Sequence, residues 1–231
     1  MIKDDTCLVA GNLLLVADGF SQQLREDMIN SLLFSQLYAS AKVEKLKDAD
    51  RWYKECATAM ENVKWQRAVY RSKSFEPEDN AEFVVRDAVV SQVLSLFGVD
   101  QAEMFERLIN CIGQSLVEGV NGLVVRENAV TTLEFPGYDF STIVLQMGVL
   151  GAGPALYSVF VCFDAFNEVE VDFLNQRFSG KHIVGNVSFD FAKQLLDHKG
   201  FERSRMREKI IDILPDSRDE LVLELCLEDI D

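Results

Sequence analysis

Apolar residues recur along this chain at two different periods, and the change falls near residue 125. Before it, most runs repeat every three to four positions, the spacing of one helix face. After it, Val, Ile, Phe and Thr dominate and alternate with polar residues, the spacing of strands. Residues 1–125 therefore read as a mainly helical half and residues 126–231 as a mainly strand half of a single domain.

The helical half opens with an apolar, strand-like stretch from Leu8 to Val16, followed by an Asp18-Gly19 turn. Ser21 is placed to cap a helix carrying Leu24, Met28 and Leu32 on one row, with Ile29, Leu33 and Leu37 beside it. Arg25, Glu26 and Asp27 fall largely off that stripe, and the helix should end near Val43. Asp48 or Asp50 can cap a second helix bearing Trp52, Cys56, Met60 and Val63. Trp65 to Tyr70 reads as a short strand, and Arg71 to Asn80, with Pro77, as a loop. A third helix is predicted over Ala81 to Phe97 and stops at Gly98. Asp100 and Glu103 then open a fourth, with Met104, Leu108, Ile112 and Leu116 in line.

In the strand half, Val130–Phe135, Phe140–Leu150, Ala155–Phe163 and Ile183–Phe191 are strands punctuated by Gly and Pro. Gly151 to Pro154 joins the second and third as a hairpin. Thr142 to Leu150 is so nearly continuous in apolar residues that both its faces must be buried, with helices covering one side. A late helix is predicted over Glu202 to Leu214, and Leu221 to Leu227 reads as an edge strand or docked tail guarded by acids. The resulting expectation is an α+β fold in which N-terminal helices pack on a mainly antiparallel C-terminal sheet.

Composition narrows the function. The 231 residues hold 23 Lys and Arg against 38 Asp and Glu, a net charge of −15. Nucleic-acid binders neutralise phosphates with cations, so a nucleic-acid partner is not expected. No run reaches the roughly 20 apolar residues of a membrane-spanning helix, and the acidic start lacks the pattern of a cleaved leader. The expected compartment is the cytoplasm at synthesis, with export by a route that needs no cleaved signal left open. The five cysteines are odd in number and too scattered for a metal or redox pair. Cys162, between Val161 and Phe163, is the candidate for modification or reactivity.

Catalytic patterns are sparse. His182 and His198 lack a second ligand at helical spacing, and each fits a structural role, His198 at a helix end. The Gly119–Gly122 and Gly151–Pro154 segments read as turns, because neither carries a phosphate-loop or dinucleotide fingerprint. Glu168, Glu170 and Asp172 could line one strand face, yet they lack the spacing of a calcium loop. No metal and no cofactor is therefore expected. One local feature departs from the acidic background. Between Lys193 and Lys209, the cations Lys199, Arg203, Arg205 and Arg207 flank Phe201, Met206 and Ile210. A basic amphipathic segment of this kind is a candidate face for an anionic lipid surface or an acidic protein.

The run Met28 to Val43, the Trp52-Tyr53 pair and Met60 to Trp65 together resemble Evf-type bacterial virulence factors and related bacterial proteins. The resemblance covers about a quarter of the chain, and no functional residue passes across it. It implies a non-enzymatic α/β-type protein acting at host or membrane surfaces, with an acylated cysteine. The expected function is a non-enzymatic interaction protein, a virulence-associated or toxin-like module acting at a membrane or on a protein partner. The alternatives are a carrier of a small apolar ligand or lipid, and a hydrolase-type enzyme with an unrecognised active site.

Overall fold

Four strands in the middle of the sheet bury side chains on both faces, and that fact sets the architecture. In the computed structural model these strands are β2 (Asn12–Val16), β6 (Tyr138–Gly151), β7 (Ala155–Ala165) and β9 (Ile183–Leu196). The structure describes residues 5–118, 120–151, 153–166 and 168–225, without the side chains of 114–118, 120, 121 and 138. Cys226, the terminal acids Asp229 and Asp231, Asp4, Gly119 and Ala152 lie outside the described residues.

The remaining strands are β1 (Asp5–Val9), β3 (Trp65–Phe75), β4 (Glu82–Phe83), β5 (Val130–Phe135), β8 (Phe178–Ser179) and β10 (Val222–Leu225). Eight of the ten form one mixed sheet in the order β10-β1-β2-β6-β7-β9-β3, while β4 and β8 pair separately. β6 is long enough for two partners on the same side: β5 runs antiparallel along Tyr138–Ile143 and β2 runs parallel along Met147–Leu150. β7 and then β9 continue the sheet on its other side, antiparallel throughout.

Alternation along each strand separates two cores. Leu13, Leu15, Ile143, Leu145, Met147, Val149, Val159, Val161, Phe163, Phe189 and Phe191 face one way. They are covered by α3 (Val85–Phe97), α4 (Val99–Glu118) and α5 (Val120–Ala129), through residues such as Val89, Phe105, Ile112 and Val125. Leu14, Val16, Val144, Leu150, Leu156 and Phe160 face the other way. Over them lie α1 (Gln22–Lys42) and α2 (Ala49–Asn62), joined by α6 (His198–Arg203) and α7 (Met206–Ile213).

This arrangement corrects the expected fold. The described residues form an α+β domain, but helices occur throughout the chain and cover both faces of the sheet. Its strands come from both halves: β1, β2 and β3 join those of the C-terminal region. Period-2 alternation reveals that a segment is a strand and says nothing about its partner, so the parallel β2–β6 pairing left no local trace. Thr142 to Leu150 is buried on both faces as expected, with helices on two sides rather than one.

Several boundaries move for identifiable reasons. Leu8 to Val16 is two strands, because Ala10 and Gly11 both take positive φ, 46° and 79°, and turn the chain in a two-residue hairpin. Arg71 to Phe75 is strand and not loop, since β3 pairs with β9 as far as Phe75↔Val187. β3 is a sheet edge, and its exposed Arg67, Arg71 and Lys73 discourage further pairing. The third helix starts at Val85, after the short β4. Val120 to Gly122 are helical and not the expected turn: they open α5, in which Val125 and Ala129 share one buried helix face despite the β-branched content. The late helix is broken in two at Arg205, whose backbone is left-handed.

Other expectations are met. Ser21 caps α1, its hydroxyl accepting from the Leu24 N–H at 3.3 Å, and α1 ends at Val43. Asp48 rather than Asp50 caps α2, accepting from the Arg51 N–H at 3.2 Å. The Gly151–Pro154 hairpin forms, and β10 pairs with β1 as an edge strand.

A Cβ at Gly11 would strike the Asn128 side chain as well as strain the left-handed backbone. Gly11→Ala should therefore lower stability by about 1–2 kcal/mol. The check is a lower urea midpoint with an unchanged slope.

Candidate functional site

The basic segment folds as α6 and α7, and its cations do not act alike. Asp197 caps α6 by accepting from the Gly200 N–H at 3.0 Å, and Phe201 and Ile210 anchor the pair of helices in the core. Lys199 and Arg203 stand exposed on the surface. Arg205 is exposed with its Nε 3.5 Å from Glu208. Arg207 turns inward. Its Nε donates to Asp27 Oδ1 at 2.6 Å and a terminal nitrogen donates to Oδ2 at 2.5 Å. The Asp27 side chain is only 1% exposed, so Arg207 neutralises a carboxylate that α1 carries into the interior.

Asp27 thus corrects its placement off the apolar stripe of α1. His198 also faces it, with Nε2 at 3.6 Å from Asp27 Oδ2 and 3.7 Å from Glu202. His198 opens α6 and does not end a helix. His182 closes a single 3-10 turn, Gly180–His182, and its carbonyl accepts from the Phe166 N–H at 2.7 Å. The surroundings of α6 and α7 hold Glu202, Glu208, Asp212 and Asp216 as well, so the segment is a mixed surface on which Lys199, Arg203 and Lys209 stand exposed. Beside it, Ile211 and Ile213 are exposed, the latter at 67%.

Among the described residues, Cys7, Cys56, Cys111 and Cys162 form no disulfide. Burial pushes the thiols of Cys7 and Cys56 up to about 12. Cys162 is half-buried on β7, and burial together with Asp164, Asp50 and Asp190 holds its thiol at about 12 as well. Each is therefore a neutral thiol near pH 7, the unreactive form.

Glu168, Glu170 and Asp172 are not on a strand face. They lie in an irregular segment and turn, tied down by Gln176, whose Nε2 donates to the Glu168 carbonyl at 2.8 Å. The Glu170 N–H in turn donates to Gln176 Oε1 at 2.8 Å. Among the described residues, no three His, Cys, Asp or Glu side chains are grouped to hold a metal.

The structure adds a site that the sequence pattern did not single out. The connection between α1 and α2 turns Lys45 inward, beneath the β1–β2 turn. Its Nζ donates to Asn12 Oδ1 at 2.7 Å and to the Asn128 carbonyl at 3.3 Å, and lies 5.2 Å from the centroid of the Trp52 ring. Burial lowers its pKa to about 8. Around it is an open pocket of about 410 Å³, lined by Asn12, Gln36, Ser40, Leu46, Trp52 and Asn128, among others. Deeper, Asn12 and Gln36 also line an inner cavity of about 20 Å³ with Gln146 and Ser158. Among the described residues, the Oε1 atoms of Gln36 and Gln146 are buried without a hydrogen-bond partner. Lys42, Lys45 and Lys47 look alike in the sequence, and only the path of the connection distinguishes them.

No family model matches the sequence, and no curated protein matches it. Solved structures with a similar chain course include a delta-endotoxin, 6% identical, covering 81% of this chain and 83% of that one with a TM-score of 0.49. A second is the activated Cyt2Ba monomer from Bacillus thuringiensis subsp. israelensis, 10% identical, covering 79% and 96% with a TM-score of 0.44. A third is the Evf virulence factor, 7% identical, covering 93% and 82% with a TM-score of 0.39. The likeness to Evf is thus structural and not one of sequence family. At these values no residue role passes from any of them to this chain.

Two predictions follow from the site. Arg207→Met should cost about 3 kcal/mol, because it removes both hydrogen bonds to the buried Asp27 carboxylate and leaves it only His198 at 3.6 Å, whereas Asp27→Leu combined with Arg207→Met should recover most of the loss. Denaturant unfolding of the three proteins measures this. For Lys45, the folded form loses its proton near pH 8 while the unfolded chain keeps it to about 10.5. Wild type should therefore gain stability relative to Lys45→Met as pH rises from 8 to 10.5, by roughly 3 kcal/mol in total. Paired unfolding curves across that range show it as a closing gap.

Proposed function

We propose that this protein is a toxin-like or virulence-associated module that acts on membranes through its β6–β7 hairpin. The observation that supports this reading is the contrast between the two faces of that hairpin. Ile143, Leu145, Met147 and Val149 stand opposite Phe163, Val161, Val159 and Tyr157 on one face. The other face pairs Thr142 with Asp164, Val144 with Cys162, Gln146 with Phe160 and Gly148 with Ser158. One side is apolar and the other mixed, over strands of 14 and 11 residues. A strand of about 9–11 residues crosses a bilayer, with an apolar face to lipid and a mixed face inward.

In the folded protein both faces are sheathed by helices, so exposure to lipid requires a helical layer to move aside. The apolar face would then exchange contact with α3–α5 for contact with acyl chains. The backbone edges of one hairpin would remain unpaired in lipid, which only closure of several copies relieves. The structures similar in chain course bear toxin and virulence-factor names, in line with this reading. Lys199 and Arg203 are exposed cations that would bring an anionic surface near.

Incubation with dye-loaded phosphatidylcholine/phosphatidylglycerol vesicles tests the proposal. The expected result is co-sedimentation, dye release and cross-linkable oligomers. Lys199→Glu with Arg203→Glu should weaken binding to anionic vesicles and leave the fold intact, since neither residue holds Asp27. A protein that neither sediments with the vesicles nor releases dye overturns the reading.

A further inference from the structure

We infer that the Lys45 pocket is a binding site for a small hydroxylated monocarboxylate, its carboxylate against Lys45 and Ser40 and its hydroxyl against Gln36. This inference is independent of any membrane activity and rests on the chemistry of the pocket lining.

The first observation is a cation without an anion. Buried charges are ordinarily paired. Lys45 is half-buried, yet its polar partners are the neutral Asn12 side chain and the Asn128 carbonyl. Among the described residues, no carboxylate lies within 4.0 Å of its Nζ, in a chain that carries 15 excess negative charges. The two carboxylates at the rim, Glu44 and Glu127, are exposed, and Glu44 is held by Lys47 at 2.6 Å. Cys56, the neighbouring titratable group inside, is a neutral thiol. The protein thus supplies a positive centre and leaves its counter-charge to something else.

The second observation is an acceptor without a donor. Gln36 is 6% exposed and lines both the outer pocket and the inner cavity, and among the described residues its Oε1 has no partner. It calls for a hydroxyl or amine hydrogen. A bare anion leaves this atom unsatisfied, and a hydroxylated one does not.

The remaining lining selects size and charge. Ser40 Oγ accepts from the Trp52 indole N–H at 2.9 Å, which leaves its own hydrogen free to donate. One ammonium and one hydroxyl match a single negative charge better than a phosphate dianion, which favours several donors. Val43, Leu46 and the Trp52 ring provide an apolar wall for a short carbon skeleton. A volume of about 410 Å³ falls within the range of small-molecule pockets.

The chain has two tryptophans, and Trp65 is buried elsewhere with its indole N–H on Ser31 Oγ at 2.8 Å. The two indole signals in a nitrogen–proton correlation spectrum therefore separate the pocket from the core. Titration with 3-hydroxybutyrate, butyrate and acetate at pH 7 should shift the Trp52 signal and leave that of Trp65 in place. 3-Hydroxybutyrate should bind about tenfold more tightly than butyrate. Its affinity should fall about tenfold per pH unit above the Lys45 pKa near 8. Lys45→Met, folded as judged by an unchanged Trp65 signal, should abolish the shift. Should that variant fold poorly, Lys45→Arg, which keeps the charge, should retain binding above pH 8. The inference is overturned if none of the three shifts Trp52 at about 10 mM, a concentration that occupies most of a millimolar site. It is equally overturned if Lys45→Met binds like wild type, or if butyrate binds as well as 3-hydroxybutyrate.

Discussion

A sheet whose central strands have one apolar face and one mixed face, each with buried apolar side chains, is stable in water only when both faces are covered. In this protein β2, β6, β7 and β9 impose that demand. The helices answer it in two layers, α3–α5 on one side and α1, α2, α6 and α7 on the other. Every other feature of the fold, from the short acidic edge strand β10 to the charged edge strand β3, deals with what remains at the margins.

The two layers differ in chemistry. The side under α3–α5 is a continuous apolar core dense in aromatic contacts: Phe83 packs edge-on against Phe163 at 5.3 Å, and Phe163 against Phe178 at 5.1 Å. The side under α1 is threaded with polar groups. Ser31 accepts from Trp65 and donates to the Met28 carbonyl, Asp27 reaches Arg207, and Gln36 faces Gln146 and Ser158 across a small cavity. Polar burial lowers stability unless each group is matched: Trp65 and Asp27 find their partners in distant segments, whereas Gln36 Oε1 and Gln146 Oε1 have none among the described residues. The layer carrying the apolar face of the hairpin and the layer carrying the polar seams are therefore held by different forces, hydrophobic packing in one and a few directional contacts in the other.

Charge follows the same division. In an acidic protein, the cations that look free in the sequence have separate destinations. Arg207 serves Asp27 in the interior, Lys45 sits in a pocket with neutral partners, and Lys199 and Arg203 remain at the surface. A charge-reversal of Arg207 thus perturbs the core, and one of Lys199 perturbs only the surface potential.

What could be read from residue order alone was local. The cap at Ser21, the stop near Val43, the Gly151–Pro154 hairpin and the two-sided burial of Thr142–Leu150 follow from periodicity and turn chemistry within a few residues. So did the late basic segment, although its break at Arg205 did not, because a left-handed non-glycine residue leaves no pattern. Folding in three dimensions decided the rest: that β2 lies parallel to β6, that β3 joins β9, that Asp27 meets an arginine 180 positions away, and that Lys45 alone of three similar lysines turns inward. Pairing and burial are set by contacts between segments distant along the chain, and periodicity encodes only which face of each segment is apolar.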